Sequence, residues 1–157
     1  TTIADGISVK TPGKLTFEEF SIMKKHSQIG AEAIRNTKGK LMDDTFLNFA
    51  EEIAHSHHEK YDGTGYPNGL KGEDIPLSAR LMAVADVYDA LITKRVYKDG
   101  FSHDKAKEII VEGKGTHFDP EIVDAFILIE KEFMKIKEEA GWEYTHEVLK
   151  YILFLVW

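Results

Sequence analysis

Cysteine is absent from this 157-residue chain, so disulfides and thiolate metal sites are both excluded. Long apolar runs are also absent, since the longest, Tyr151 to Trp157, is far shorter than the roughly 20 residues that span a bilayer. Positive charge is in the minority, and a formal net charge of −7 argues against a DNA-binding surface. These absences are compatible with a cytoplasmic protein, which is our expectation. A phosphate-ester substrate would need metal ions or a few placed cations to meet its charge.

Strand signals are scarce, whereas signals for helix starts are frequent. They lie at Thr16 (with Glu19 as a capping box), Asp43 or Asp44, Ser78, Ser102 and Asp119-Pro120. The helix after Ser78 is apolar on most sides, so we expect it to be central. We predict an all-α, single-domain bundle of about five to six helices. Residues 1–141 would form the domain, and the apolar helix predicted in 142–157 would pack on it or at a dimer interface.

The most informative stretch runs from His57 to Pro67, where two adjacent histidines lead into a glycine-rich loop. Imidazole is the commonest metal ligand among side chains. Glycine lets the backbone fold tightly and approach a ligand closely. The stretch therefore favours a metal centre with a substrate-facing loop. The alternative is that both histidines merely cap the end of a helix.

Other ligand candidates lie far away in sequence, at His26 and Asp86. A lone histidine such as His26 is usually structural or solvated. Asp86 lies in a very apolar helix, where a carboxylate is costly to bury unless it is paired or metal-bound. Asp89, three residues on, projects from the same face. A mixed histidine and carboxylate set suits iron, manganese, zinc or nickel rather than calcium.

A cationic cluster follows the Asp86 helix, with Lys94, Arg95 and Lys98 close together. Arginine and lysine both bind phosphate oxygens. The cluster could flank a metal centre, although taken alone it is better explained as cations that favour a helix carboxyl terminus.

Many matches in the same order, rather than one motif, carry a resemblance to a known family. Upstream they are Pro12-Gly13-Lys14-Leu15-Thr16 and His26, and from His57-to-Pro67 onward they are Gly69-Leu70, Ile75-Pro76-Leu77, Ala79-Arg80, Ala83-Val84-Ala85-Asp86, Asp89-Ala90-Leu91, Arg95, Tyr97-Lys98, Gly115, Phe118-Asp119-Pro120 and Phe126. Over roughly residues 4–130 the chain resembles the HD-GYP domains of the HD phosphohydrolase superfamily. Members are bacterial and all-helical, and they typically hydrolyse cyclic di-GMP at a two- or three-metal centre.

The resemblance implies a role for each matching position. Metal ligands would be His26, His57, His58 and Asp86, holding divalent iron or manganese, with zinc or nickel as alternatives. Asp86 and Lys98 would be catalytic, and the substrate contacts would be Tyr66, Asp89, Arg95 and Lys98. The reaction would open cyclic di-GMP to linear pGpG, GMP or both.

The His-Asp dyad that gives the family part of its name should lie shortly before Pro12, and the chain begins after that point. The only adjacent pair, His103-Asp104, is in the wrong place, and we interpret it as an exposed helix N-terminus. We therefore expect an N-terminally incomplete domain, either a fragment or a degenerate member, with weak or no activity.

Three hypotheses stay open at this point. The first is a phosphodiesterase, possibly dimeric, whose full form can carry an upstream receiver or sensor domain. The second is a module that senses cyclic di-GMP or docks a diguanylate cyclase (GGDEF) domain through the Tyr66 loop. The third is a structural helical domain whose histidines are caps.

Overall fold

A computed structural model describes residues 16–39, 44–93 and 100–139 of the chain, with side chains as far as residue 133. Within these ranges the protein is all-α, as predicted. The helices are α1 (Phe17–Met23), α2 (Lys25–Arg35), α3 (Thr45–Ser56), a 3₁₀-helix (Gly72–Asp74), α4 (Leu77–Ile92), α5 (His103–Glu112) and α6 (Pro120–Glu139). No helix in the described ranges is both long and apolar enough to cross a membrane. The predictions for residues 142–157 concern a segment outside these ranges.

Three of the predicted helix starts are confirmed by their hydrogen bonds. Thr16 forms the capping box of α1, since its hydroxyl accepts from the Glu19 amide at 3.2 Å and the Glu19 carboxylate accepts from the Thr16 amide at 2.8 Å. Ser102 caps α5 by accepting from the Lys105 amide at 3.3 Å. Asp119 precedes α6, and its carboxylate accepts from the Glu121 amide at 2.8 Å. Local chemistry alone therefore specifies these three boundaries.

The start of α4 differs from the prediction, because Ser78 does not cap it. The helix begins at Leu77, after Pro76 with φ −51°, and Ser78 is its second residue. The Ser78 hydroxyl donates to the Glu52 carboxylate at 2.6 Å, so it joins α4 to α3. Proline already supplies a φ suited to a helix start.

His103 is the second correction. It is the first residue of α5, as expected, but its side chain is half-buried rather than exposed. A hydrogen bond of 2.8 Å joins its Nδ1 to the Tyr88 hydroxyl, and its Nε2 lies 3.7 Å from the Glu130 carboxylate. His103 thus belongs to a polar connection between α4, α5 and α6, whereas Asp104 is exposed as expected.

Helix α4 is central, as its apolar sequence predicts, and it packs against α3, α5 and α6. The main core lies on its α5 and α6 side and is made of Ala83, Val84, Tyr88, Ile92, Ala106, Ile110, Phe118, Ile122, Val123 and Phe126. On the other side of α4, helix α2 packs against α3. The start of α2 and the end of α3 therefore lie outside the cluster of residues that forms the main core.

A buried ion pair fixes the start of α4 against the start of α6. Arg80 donates to the Asp119 carboxylate and also to the Ile75 carbonyl at 2.9 Å. The Asp119 side chain is only 4% exposed. Because Arg80 and the Glu121 amide share this one carboxylate, its loss would leave a guanidinium largely buried without its charge partner.

We predict that Asp119→Ala lowers the free energy of unfolding by about 3–5 kcal/mol, the usual effect of removing one partner of a buried pair. The matched control is Asp124→Ala, because Asp124 pairs with Lys114 and is 60% exposed. Such surface pairs contribute at most about 1 kcal/mol. Urea unfolding of both variants measures the difference, and equal losses would contradict the prediction.

Candidate metal centre

The site begins with a close contact between α2 and α3. Ala31 and Ala54 are both fully buried between these helices, and Ile34 packs beside them. Small side chains let two helices approach closely. This contact brings the start of α2, with His26, next to the end of α3, where His57 is the C-cap residue.

Three imidazoles meet there. The ring centroids of His57 and His58 lie 3.9 Å apart, and His26 lies 5.6 Å from the first and 5.0 Å from the second. Each ring offers a nitrogen within 4.8 Å of the other two. His26 and His57 are buried, the latter with 2% of its surface exposed. Three of the four predicted ligands are therefore brought together.

The hydrogen bonds of the rings determine which nitrogens can bind a metal. His57 Nδ1 donates to the Ile53 carbonyl at 2.8 Å and lies 3.2 Å from the Ala54 carbonyl. Because a carbonyl can only accept, the proton is on Nδ1 and the lone pair is on Nε2. That Nε2 is buried and has no hydrogen-bond partner in the described part of the chain. A backbone carbonyl that accepts from the other ring nitrogen and so orients the ring is typical of metal-binding histidine.

His26 repeats the arrangement. Its Nδ1 donates to the Met23 carbonyl, and its Nε2 lies 3.4 Å from the Ser27 hydroxyl, which can donate to it. Of the pair for which capping was the alternative, His57 does cap the end of α3 through its Nδ1. Capping does not account for the opposite nitrogen of His57, which carries a lone pair into a buried space.

Burial keeps two of the rings neutral. It lowers the pKa of His57 to about 4 and, with the nearby charges of His57 and His26, the pKa of His58 to about 3. Neutral imidazole is the form that binds metal. The residues present therefore fit a divalent transition metal.

The loop after His58 is held by Glu59, a residue that the sequence analysis missed. Its buried carboxylate accepts from the Asn68 amide at 2.7 Å and the Leu70 amide at 3.1 Å. The Tyr66 amide donates to the His58 carbonyl at 3.2 Å. Together these bonds fold the loop back over the histidine pair. The signal available in the sequence was a carboxylate directly after two candidate ligands.

Gly65 is required at its position because there is no room for a side chain. A Cβ atom there would lie 2.3 Å from the Lys60 nitrogen and 2.5 Å from the Glu59 Cα. This close approach lets the Tyr66 ring lie over the His58 ring, with centroids 4.7 Å apart. Burial, with a contribution from the negative charge of Asp86, raises the pKa of Tyr66 to about 12.

The other predicted site residues divide into two groups. Asp86 lies on α4, half-buried and close enough to Tyr66 to affect its pKa, but outside the compact group of three imidazoles. Asp89 is half-buried on the same helix and accepts from the Thr93 hydroxyl at 3.2 Å. Arg95 and Lys98 lie outside the described residues.

A second loop supports the first. The amides of Tyr61 and Asp62 donate to the carbonyls of His117 and Thr116, at 3.1 and 2.8 Å. The His117 ring stacks on Phe118 with centroids 4.2 Å apart. Burial and the charge of Lys60 lower the pKa of His117, and its charge in turn acts on His58. The sequence analysis did not select His117, because only the folded chain brings it near the site.

We predict that Glu59→Gln accelerates hydrogen exchange at the Asn68 and Leu70 amides. Glutamine keeps the volume but can accept at only one oxygen, which weakens the closed loop by about 1–3 kcal/mol. Glu73→Gln is the control, since Glu73 is exposed on the 3₁₀-helix of the same loop. Native-state exchange followed by NMR tests this. Unchanged protection of both amides in Glu59→Gln would show that the carboxylate does not hold the loop.

Several known proteins are similar to this chain. A cyclic di-GMP phosphodiesterase of Vibrio cholerae serotype O1 is 60% identical over 134 residues, covering 85% of this chain and 27% of that protein. A 3′3′-cGAMP-specific phosphodiesterase 2 of the same organism is 45% identical over 135 residues, which is 86% of this chain and 25% of the relative. A cyclic di-GMP phosphodiesterase of Thermotoga maritima is 41% identical over 134 residues, with 85% and 35% covered.

The chain thus spans between 25% and 35% of the length of these relatives. The family model described as the HD domain matches residues 3–122. The resemblance to HD-GYP domains is confirmed, and the chain belongs to the HD-domain family.

Proposed function

We propose that this domain is part of a metal-dependent phosphodiesterase that hydrolyses cyclic di-GMP to linear pGpG, GMP or both. The observation that carries the proposal is the buried His57 Nε2, which faces two further imidazoles and has no hydrogen-bond partner in the described residues. Relatives named cyclic di-GMP phosphodiesterases support the choice of substrate. The proposed location is the cytoplasm.

His26, His57 and His58 would hold the metal, and Asp86 is the proposed fourth ligand. The donor set of imidazole and carboxylate suits iron or manganese, with zinc or nickel as alternatives. When bound, such an ion supplies Lewis-acid stabilisation of phosphate charge and an activated water. The carbonyls of Ile53 and Met23 keep the Nδ1 protons of His57 and His26 in place, which directs the Nε2 atom of each ring toward the proposed metal.

The remaining residues act on the substrate and on water. Tyr66 keeps its proton at neutral pH, because its pKa is raised to about 12, and its hydroxyl can donate to a phosphate oxygen. The Asp86 carboxylate can accept a hydrogen bond from water and so orient it for attack. Asp89, Arg95 and Lys98 are proposed contacts for the nucleotide, with the two cations on its phosphates and Lys98 also assisting catalysis.

We expect His57→Ala and His58→Ala each to reduce Mn²⁺ affinity at least tenfold, since even the loss of a group that only orients a ligand costs about 10- to 100-fold. The matched control is His55→Ala, because His55 is also half-buried at the end of α3 and bonds Ser56 at 3.3 Å outside the cluster. Metal content and competition with a chelator provide the measurement. If His57→Ala and His58→Ala bound Mn²⁺ as tightly as His55→Ala and the unaltered protein, the metal centre would be refuted.

Turnover tests the substrate. We expect the intact protein with Fe²⁺ or Mn²⁺ to convert cyclic di-GMP to pGpG or GMP, which chromatography measures. His57→Ala is expected to abolish the conversion. Tight binding of cyclic di-GMP without conversion would overturn the phosphodiesterase proposal in favour of a sensing module.

A further inference from the structure

Two aromatic rings, those of Tyr66 and Phe20, lead from the candidate metal centre to the surface. We call the surface formed by Tyr66, Phe20 and Lys24 the mouth of the centre. Tyr66 lies over His58, and the Phe20 ring of α1 meets Tyr66 edge-on, with centroids 6.1 Å apart and an interplanar angle of 81°. Phe20 is 38% exposed. The two rings therefore lead from the buried imidazoles to an accessible apolar surface.

Lys24 adds a positive charge to this surface. Its Nζ lies 4.7 Å from the Phe20 centroid and 5.6 Å from the Tyr66 centroid. Both distances are within the range of cation–π attraction. No carboxylate pairs with Lys24 among the residues that the structure describes. The ammonium group is thus held beside the Phe20 and Tyr66 rings.

The backbone fixes this position. Lys24 is both the last cap of α1 and the first cap of α2, and its amide donates to the Phe20 carbonyl at 3.0 Å. His26 follows two residues later, so the junction between α1 and α2 contains both the cation and a candidate metal ligand. Lys24 keeps helical dihedrals, with φ −60° and ψ −23°, so it lies on the same helix face as Phe20, four residues earlier.

Phe20 and Lys24 together suit a nucleotide, because the exposed ring can contact a flat base and the ammonium group can contact a phosphate. Aromatic side chains bind bases by stacking, and lysine binds phosphate as a point charge. In a chain with net charge −7, a cation at the mouth has a clear use for an anionic substrate.

We propose that Phe20 and Lys24 extend the Tyr66 loop outward and form the outer part of one wall of the substrate cleft. The exposed part of Phe20 packs on a purine base of a cyclic dinucleotide, and Lys24 binds a phosphate of the same molecule. This inference rests on the proposed function and deepens it. Because stacking tolerates any base, the wall contributes equally to guanine and adenine and does not discriminate between them.

The test measures binding of hydrolysis-resistant phosphorothioate analogues of cyclic di-GMP and 3′3′-cGAMP to the intact, Mn²⁺-loaded protein by calorimetry. Phe20→Leu is expected to weaken the binding of both ligands roughly tenfold. Phe20→Tyr keeps an aromatic ring and is expected to bind like the unaltered protein. Lys24→Gln is expected to weaken both several-fold and to make binding less dependent on salt, since it removes a screened charge contact.

Matched controls come from the same two helices. Phe17→Leu changes a ring that is 81% exposed one turn earlier on α1, and Lys25→Gln changes the neighbouring exposed cation. Both are expected to bind within twofold of the unaltered protein. Thermal unfolding and Mn²⁺ content of every variant separate loss of the wall from loss of the fold or of the metal.

The outcomes distinguish the two proposals. If the unaltered protein binds the analogues and Phe20→Leu binds as well as Phe17→Leu, the wall is refuted and the phosphodiesterase proposal stands. A loss in Phe20→Leu for only one of the two nucleotides would also refute the base-tolerant wall. If the unaltered protein binds neither analogue and turns over neither nucleotide, both proposals fail.

Discussion

The Glu59 carboxylate is the group on which the candidate site depends most. It is buried directly behind the histidine pair, and it accepts from two amides nine and eleven residues further along the chain. A buried carboxylate is stable only when its charge is met by such donors. The need to satisfy this one group therefore closes the loop, and the closed loop places Tyr66 over His58.

The same region contains polar atoms that the fold does not use for its own stability. Two imidazoles are desolvated enough to stay neutral far below their ordinary pKa, and a lone pair of His57 is left without a donor in the described residues. Departures of this kind are concentrated at functional sites, where stability is given up for reactivity. A metal that binds there would also stabilise the fold, because it binds only the folded arrangement.

The sequence predicted the parts of the structure that depend on neighbouring residues. The capping box at Thr16 and the caps at Ser102 and Asp119 form within three residues, so their signals are local. Ser78 misled because a proline two positions earlier already starts the helix, which frees the hydroxyl to bond across to α3.

The site shows the same division. His26, His57 and His58 were identified because many ordered matches supported them, not because of their spacing. Glu59 acts through amides nine and eleven residues along the chain, His117 through a second loop, and Lys24 through its contact with the ring of Tyr66. Such contacts exist only once the chain has folded, and so no local pattern could reveal them.

The connection between the two loops has a consequence for how such domains diversify. The bonds from residues 61 and 62 to residues 117 and 116 join backbone amides to backbone carbonyls. Substitutions at these four positions can therefore change the charge and shape of the two loops without breaking the connection. Surface chemistry can thus diversify here while the three histidines keep their places.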